Sequence, residues 1–130
     1  MIFKIEKLSL KHSKFLFKLR NDIDIRKNSY NTDIIKFSTH TDWLKKLIKK
    51  KNIGYVFKSK TGSNIGYVRL NNKNSKDYVS IALSNKFRNK GLSKEVLLAA
   101  ENKFKSKNLY SLVNKNNKKS IFLFRSLDYI

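Results

Sequence analysis

The first third of the chain shows one strand pattern followed by two helix patterns. Phe3, Ile5 and Leu8 indicate a first strand, FKIEKL. From residue 11 to residue 19 the apolar side chains fall at helical spacing, and the polar stretch NDIDIRKNSYNTD that follows is irregular. A second helix is predicted to begin near Ser38 or Thr39, because either hydroxyl can cap it. The apolar face of this second helix carries Trp43, Leu44, Leu47 and Ile48.

The middle of the chain is patterned as three consecutive strands. The runs IGYVFKS and NIGYVRL are rich in β-forming residues and are separated by residues 60–63. Gly62 is expected to supply the turn between them. A third run, DYVSIALS, follows the polar tip NNKNSK. These strands therefore predict an antiparallel meander.

The last third alternates helix, strand and helix. The loop SNKFRNKG leads into LSKEVLLAAENKFKS, which is strongly amphipathic. LYSLV is typical of a short buried strand, and Asn117 opens a final helix, KKSIFLFRSL. The predicted order is β-α-α-β-β-β-α-β-α, which indicates one α/β domain over residues 1–130.

Composition limits the class of protein. A hydrophobic fraction of 40% is enough for a packed core, and the absence of cysteine rules out disulfides and thiolate metal sites. We expect no bound metal. The N-terminus has no apolar run of signal-peptide length, and no stretch of the sequence has eighteen consecutive apolar residues. The sequence therefore predicts a soluble, cytoplasmic protein.

The net charge of +21 favours anionic ligands without naming one. Basic residues number 30, and only five of them are arginine, the residue that base readout and bidentate phosphate contacts prefer. The lysines are scattered and often adjoin asparagine, which is typical of a coding bias. Sequence-specific nucleic-acid binding is therefore disfavoured, although a basic, non-catalytic nucleotide-binding or nucleic-acid-binding module stays as an alternative.

The loop at residues 88–93 is the most informative segment. It follows a predicted strand and opens directly into a helix, where unpaired backbone N–H groups attract anions. Gly91 would allow a phosphate to approach the backbone closely, and Arg88 and Lys90 add positive charge. The alternative is an ordinary turn that Gly91 merely eases. A Walker loop is excluded because neither the earlier glycine nor the Gly-Lys-Ser sequence is present.

The loop resembles the acetyl-CoA pyrophosphate signature of the GNAT superfamily of N-acetyltransferases, Gln/Arg-x-x-Gly-x-Gly/Ala. Arg88 and Gly91 match the signature, and Ser93 is a small residue at its last position. A second superfamily pattern lies downstream, in which the corresponding positions are Val113, Asn117, Ser120, Phe124, Asp128 and Tyr129. The resemblance covers nearly the whole chain, and it implies a mixed, mainly antiparallel sheet flanked by helices.

The resemblance also implies acetyl-CoA as co-substrate and direct attack by an amine. The fourth strand would diverge from the fifth, and the pantetheine arm would lie between them. The implied co-substrate contacts are Ile81, Ala82, Leu83, Arg88, Asn89, Lys90, Gly91, Leu92, Ser93 and Asn117. Asn117 would contact the pantetheine or a water, or it would simply cap the last helix.

Three departures separate the chain from the superfamily pattern. Phe124 stands where a tyrosine commonly protonates the leaving thiolate, and Asp128 replaces a glycine. The two final strands of the fold are largely missing from the sequence. We therefore expect the chain either to form a homodimer through the exposed edge of LYSLV or to have low stability as a monomer.

The acceptor region is similar to that of acetyltransferases acting on nucleotide-linked amino-deoxysugars. The similar positions are Leu19, Arg20, Asn21, Arg26, Ser29, Ile34, His40 and Trp43. Ribosomal-protein N-acetyltransferases share part of the pattern, so a protein N-terminus or another small amine remains the alternative acceptor.

Specific roles follow for a few acceptor-side residues. Arg20 and Arg26 are predicted to bind the acceptor through a diphosphate, the alternative being solvated surface charges. His40 is the candidate catalytic base, the alternative being a helix residue packed near the indole of Trp43. Asp77 and Ser80 on the fourth strand would otherwise order a water that takes the proton.

Overall fold

The computed structural model describes residues 3–28, 33–49, 54–88, 91–104, 108–111, 117–127 and 129. In these segments a five-stranded sheet has the order β1-β2-β3-β4-β5. The strands are β1 (Lys4–Lys7), β2 (Gly54–Lys58), β3 (Asn64–Lys73), β4 (Lys76–Leu83) and β5 (Leu109–Tyr110). The first four strands are antiparallel, and β5 is parallel to β4. The predicted mixed, mainly antiparallel sheet is confirmed.

Five α-helices accompany the sheet in the described segments. They are α1 (Ser13–Asn21), α2 (Ile23–Asn28), α3 (Phe37–Lys49), α4 (Leu92–Glu101) and α5 (Lys118–Ser126). Short 3₁₀ helices at Leu10–His12 and Asn85–Phe87 precede α1 and α4. Within the same segments, none of the helices combines the length and apolar character that a bilayer crossing requires.

Both hairpins of the meander have local causes in the sequence. Gly62 has φ +90° between β2 and β3, so the predicted turn glycine is confirmed. Between β3 and β4, Asn74 and Ser75 have φ values of 54° and 63°, which is the left-handed pair of a two-residue hairpin. The polar tip is therefore mostly strand, since β3 continues to Lys73 and β4 starts at Lys76.

Several element boundaries differ from the predictions. The stretch expected to be irregular contains α2, which is separated from the end of α1 by the single residue Asp22. Helix α3 begins at Phe37, so Ser38 and Thr39 lie inside its first turn and do not cap it. Helix α4 ends at Glu101, five residues before its amphipathic pattern does. The last two residues of LYSLV lie outside the described segments, so the homodimer through that edge stays a prediction.

The sheet buries apolar side chains on both faces. One core packs α4 and Phe124 of α5 against one face, and it includes Phe57, Val68, Val79 and Leu83 from the strands. The other core packs α1 and α3 against the opposite face, around Leu16, Leu44, Val56 and Tyr67. Because successive strand residues face opposite sides, odd-numbered residues of β4 face α4, whereas Ser80 and Ala82 face α1 and α3.

Candidate active site

The described pairing between β4 and β5 is short. It joins Asp77 to Leu109 and Tyr78 to Tyr110. Just beyond it, the Ser111 hydroxyl donates to the Val79 carbonyl oxygen at 3.1 Å. Residues 112–116 are not described. The part of β4 that follows Val79 therefore lies beyond the described ladder, where the sequence predicted the pantetheine arm.

Hydrogen-bond alternation decides which backbone groups of β4 face β5. The Ser84 N–H donates to the Ile65 carbonyl oxygen at 2.8 Å. The backbone N–H and C=O groups of the even-numbered residues of β4 therefore point toward β3. The polar backbone groups of Ile81 and Leu83 consequently point to the β5 side, whereas those of Ala82 point to β3. Of the three predicted β4 contacts, only Ile81 and Leu83 therefore direct backbone groups to the side of β4 where the pantetheine arm was predicted.

Arg88 connects the end of β4 to the junction between α1 and α2. Its Nε donates to the Leu83 carbonyl oxygen at 2.9 Å, and its Nη2 lies 3.2 Å from Oδ1 of Asp22. Asp22 stands between α1 and α2. The sequence predicted a phosphate contact for Arg88, and the structure adds a bracing role, because its guanidinium is tied into the protein.

The start of α4 shows one backbone feature that is expected of a phosphate loop. Gly91 precedes Leu92 with φ +72°, a left-handed conformation that favours glycine. Apart from the chain neighbours of Gly91, none of the described residues places an atom within 4 Å of the position that a Gly91 Cβ would take. Leu92 is buried in the core and anchors the helix, and Ser93 is partly buried. Asn89 and Lys90 lie outside the described residues.

Asn117 caps α5, as one of the two predicted alternatives requires. Its Oδ1 accepts a hydrogen bond from the Ser120 N–H at 3.2 Å. This satisfies one of the unpaired N–H groups in the first turn. A contact of Asn117 with pantetheine stays a prediction.

Phe124 is enclosed by apolar neighbours. It is buried in the α4-side core, and its ring centroid lies 4.8 Å from that of Tyr129. Burial, and then the charge of Glu101, raise the pKa of the Tyr129 hydroxyl. Phe124 itself has no ionisable group, so it cannot protonate a leaving thiolate. Asp128 lies outside the described residues.

His40 is fully buried and both of its ring nitrogens have partners. Nε2 lies 3.0 Å from the Ser13 carbonyl oxygen, which can only accept, so Nε2 carries the hydrogen. Nδ1 lies 3.0 Å from Nη1 of Arg20, which can only donate. Burial, and then the Arg20 charge, lower the pKa of the imidazole. The assignment of His40 as the catalytic base does not fit this geometry, since its lone pair is already used.

Arg20 and Arg26 separate into two environments, although the sequence paired them. The Arg20 Cζ lies 3.8 Å from the centroid of the Trp43 ring. The Arg26 Nε instead donates to the Asn21 carbonyl oxygen at 3.1 Å. Asn21 in turn holds the backbone of Ile35 with two hydrogen bonds of 2.8 Å. Arg26 thus belongs to the connection between α1 and α3, and a substrate contact for it stays a prediction.

The sequence reasoning missed Arg69. This residue of β3 places its Cζ 5.5 Å from the same Trp43 ring that Arg20 covers. The signal was available, because Arg69 is the one charged residue in the β-rich run NIGYVRL. Strand alternation would have placed it beside Tyr67, on the face that packs against α1 and α3.

Asp77 and Ser80 do not form a joint water site. Their spacing of three residues puts them on opposite faces of β4. The Asp77 carboxylate accepts from Nδ2 of Asn72 at 2.8 Å at the exposed hairpin. Ser80 lies directly opposite Arg69 in the β3–β4 register. Only Ser80 therefore lies on the face of the sheet that packs against α1 and α3.

Comparison with known proteins points to one family. The sequence model of the Acetyltransferase (GNAT) family matches residues 19–129. Among solved structures, spermidine N-acetyltransferase from Vibrio cholerae, in complex with CoA and spermine, has a TM-score of 0.79 at 19% identity. That alignment covers 95% of this chain and 78% of the other. A search of proteins with curated functions gives no match.

Two further structures have the same fold. Phosphinothricin acetyltransferase from Sinorhizobium meliloti, in complex with acetyl-CoA, has a TM-score of 0.80 at 16% identity, covering 98% of this chain and 74% of that one. Ribosomal-protein-alanine N-acetyltransferase from Brucella melitensis has a TM-score of 0.74 at 17% identity, covering 98% and 83%. At these identities the likeness establishes the fold alone.

Proposed function

Because the chain belongs to the acetyltransferase (GNAT) family and is an acetyl-CoA-dependent N-acetyltransferase, we propose that its acceptor is a primary amine on a nucleotide-linked amino-deoxysugar. The predicted family is confirmed, and what we propose is the chemical identity of the acceptor. The observation that carries it is the guanidinium of Arg20 on the α1–α3 face. In the described segments, no carboxylate lies within ion-pairing distance of this guanidinium.

The overall charge supports an anionic acceptor. A chain of net charge +21 attracts a nucleotide diphosphate and repels a polyamine cation. Substrates such as spermidine, the named substrate of one structural relative, are therefore disfavoured for this chain. The similarity of residues 19–43 to amino-sugar acetyltransferases points in the same direction.

The backbone of β4 supplies the central interaction of the proposed mechanism. The amine, once neutral, attacks the acetyl carbonyl carbon directly. The Ile81 N–H faces the gap and donates to the oxygen that becomes negative, which is an oxyanion-type contribution. Leu83 offers a further N–H to the pantetheine arm, and the first turn of α4 at Gly91 receives the pyrophosphate.

Proton transfers in this mechanism pass through solvent. His40 has no free lone pair, and Phe124 has no hydroxyl. The amine therefore gives its proton to water, with Ser80 as the polar side chain of β4 nearest to Ile81 on the acceptor face. The departing thiolate, with a pKa of about 8.5 or above, leaves without help from the protein.

A direct acceptor comparison tests this proposal. Release of free CoA thiol would be measured with acetyl-CoA and, in turn, a nucleotide-linked amino sugar, spermidine and an alanine-starting peptide. We expect kcat/KM for the amino sugar to exceed the others at least about tenfold, the effect of one charge-assisted contact. A preference for spermidine or for the peptide would contradict the proposed acceptor and leave the acetyltransferase activity standing.

A further inference from the structure

Two arginines approach one aromatic ring on the acceptor side of the sheet. Arg20 comes from α1 and Arg69 from β3, and their Cζ atoms lie 3.8 Å and 5.5 Å from the Trp43 ring centroid. A guanidinium is attracted to the face of an indole, so the ring orients both groups. Helix α3 supplies the ring. Three separate elements thus bring two positive charges to one place.

Nothing in the described segments neutralises this pair of charges. The chain has 9 acidic residues against 30 basic ones. Among the described residues, no ion pair includes Arg20 or Arg69. The Nε of Arg69 is buried and has no hydrogen-bond acceptor among the described residues. Charged groups that are partly removed from water are costly when they lack a partner. A bound anion would supply the missing acceptors.

The electrostatics of Arg20 agree with this crowding. Burial is the largest cause that lowers the pKa of its guanidinium, and the charge of Arg69 adds to it, against an opposing influence of Tyr67. The only described polar partner of Arg20 is the uncharged Nδ1 of His40, at 3.0 Å. His40 fixes the guanidinium without neutralising it.

The pair also lies near the proposed reaction centre. Arg69 is directly opposite Ser80 in the β3–β4 register, and their side chains share a face. Ser80 adjoins Ile81, whose N–H faces the gap. Neighbouring strands are about 4.8 Å apart, so Arg69 lies roughly one strand away from the gap. An acceptor whose amine reaches the gap can therefore place another group over Trp43.

We propose that Arg20 and Arg69 form an anion subsite above Trp43, which holds a phosphate or carboxylate of the acceptor. The inference deepens the proposed function and rests on it. Arg26, which the sequence suggested for this task, is not part of the subsite. His40 is a positioning residue, because its Nδ1 holds the Arg20 guanidinium over the ring.

Trp43 gives a direct readout of the subsite. It is the only tryptophan of the chain, so the protein's indole emission comes from this position. The full chain would be saturated with CoA, which covers the proposed pyrophosphate loop, and then titrated with inorganic pyrophosphate and, separately, with acetate. We expect a saturable change in emission with at least one anion. Pyrophosphate alone would indicate a phosphate-bearing acceptor, and acetate alone a carboxylate-bearing one.

Matched variants decide whether the two arginines cause the signal. We expect Arg69→Met to weaken anion binding at least about tenfold, since one bidentate charged contact is lost. Arg69→Lys, which keeps the charge and is the less disruptive change, should weaken it less. Arg125→Met removes one charge at an exposed position of α5 and should leave anion binding unchanged.

The outcomes separate this inference from the proposed function. Equal anion affinity in Arg69→Met and Arg125→Met, or no emission change with either anion, would overturn the subsite. CoA affinity, measured by calorimetry on the same variants, should not change. If CoA failed to bind to the unaltered chain, the proposed function would fail first, whatever the anions do.

Discussion

The two sides of the candidate site use different kinds of chemical group. On the proposed co-substrate side, the groups are backbone N–H groups, that of Ile81 on the β5 side of β4 and those that follow Gly91 at the start of α4. On the acceptor side they are the side chains of Arg20, His40 and Arg69, brought together from three elements. Strand and helix geometry alone orients a backbone group, whereas a side-chain cluster depends on how separate elements pack. We therefore expect CoA binding to be sensitive to changes of backbone conformation and acceptor binding to be sensitive to side-chain substitutions.

The largest expected effect concerns the backbone of the co-substrate side. Gly91→Val forces a β-branched residue into φ +72°, which costs about 1–3 kcal/mol and distorts the loop. We expect CoA affinity to fall about tenfold or more, by calorimetry. Gly62→Val is the matched control, because Gly62 also has a left-handed φ, +90°, with open space around it, and lies in the β2–β3 turn. If both variants bound CoA like the unaltered chain, the loop assignment would be wrong.

A smaller effect distinguishes bracing from phosphate binding at Arg88. Arg88→Lys keeps the positive charge but removes the Nε hydrogen bond to the Leu83 carbonyl oxygen. We expect the free energy of unfolding to fall by about 1–2 kcal/mol in a urea titration, the usual cost of such a bond. Unchanged stability together with much weaker CoA binding would show that Arg88 serves the phosphate and not the fold.

A pH effect should appear on the acceptor side. The pKa of His40 is lowered in the folded chain. As the pH falls below about 6.5, the ordinary value in the unfolded chain, the unfolded state therefore binds a proton on this imidazole before the folded state does. The contribution of the neutral imidazole to the free energy of unfolding should therefore be complete above pH 6.5 and should be lost as the pH falls through the folded pKa. His40→Gln, which cannot titrate, should flatten this decline in urea titrations between pH 7 and pH 5. Parallel curves for both proteins would contradict the buried neutral imidazole.

The smallest expected effect is at Phe124. Phe124→Tyr restores the hydroxyl that the family pattern carries, and the thiolate does not need it. We expect kcat to stay unchanged or to rise by no more than about threefold. A clear loss of kcat with normal CoA affinity would mean that Phe124 shapes the acceptor pocket.

The sequence predicted the fold around the proposed co-substrate site well because its signals are local. A strand, a loop and a helix follow each other between residues 76 and 101, as the sequence predicted. The cap at Asn117 is equally local, since its partner Ser120 is three residues away. The order of β2, β3 and β4 followed from the two short hairpins. Such features need no knowledge of distant contacts.

The acceptor side was harder to predict because its partners are far apart in sequence. His40 contacts Ser13 and Arg20, so the two hydrogen bonds that occupy its lone pair and N–H are tertiary. Arg69 meets Trp43 only because β3 packs against α3. Helix α2 was missed since its six residues carry no extended apolar face. A sequence shows which side chains exist there, and packing decides what they do.

Hydrogen exchange at two adjacent amides of β4 tests the central claim most directly. The Ile81 N–H is proposed to face the gap and to donate to the co-substrate, whereas the Ala82 N–H already points to β3. Exchange rates would be measured by NMR on the ¹⁵N-labelled chain, with and without acetyl-CoA. We predict that Ile81 exchanges quickly alone and becomes protected with acetyl-CoA, while Ala82 is protected in both states. An Ile81 amide whose exchange does not respond to bound acetyl-CoA would contradict the account.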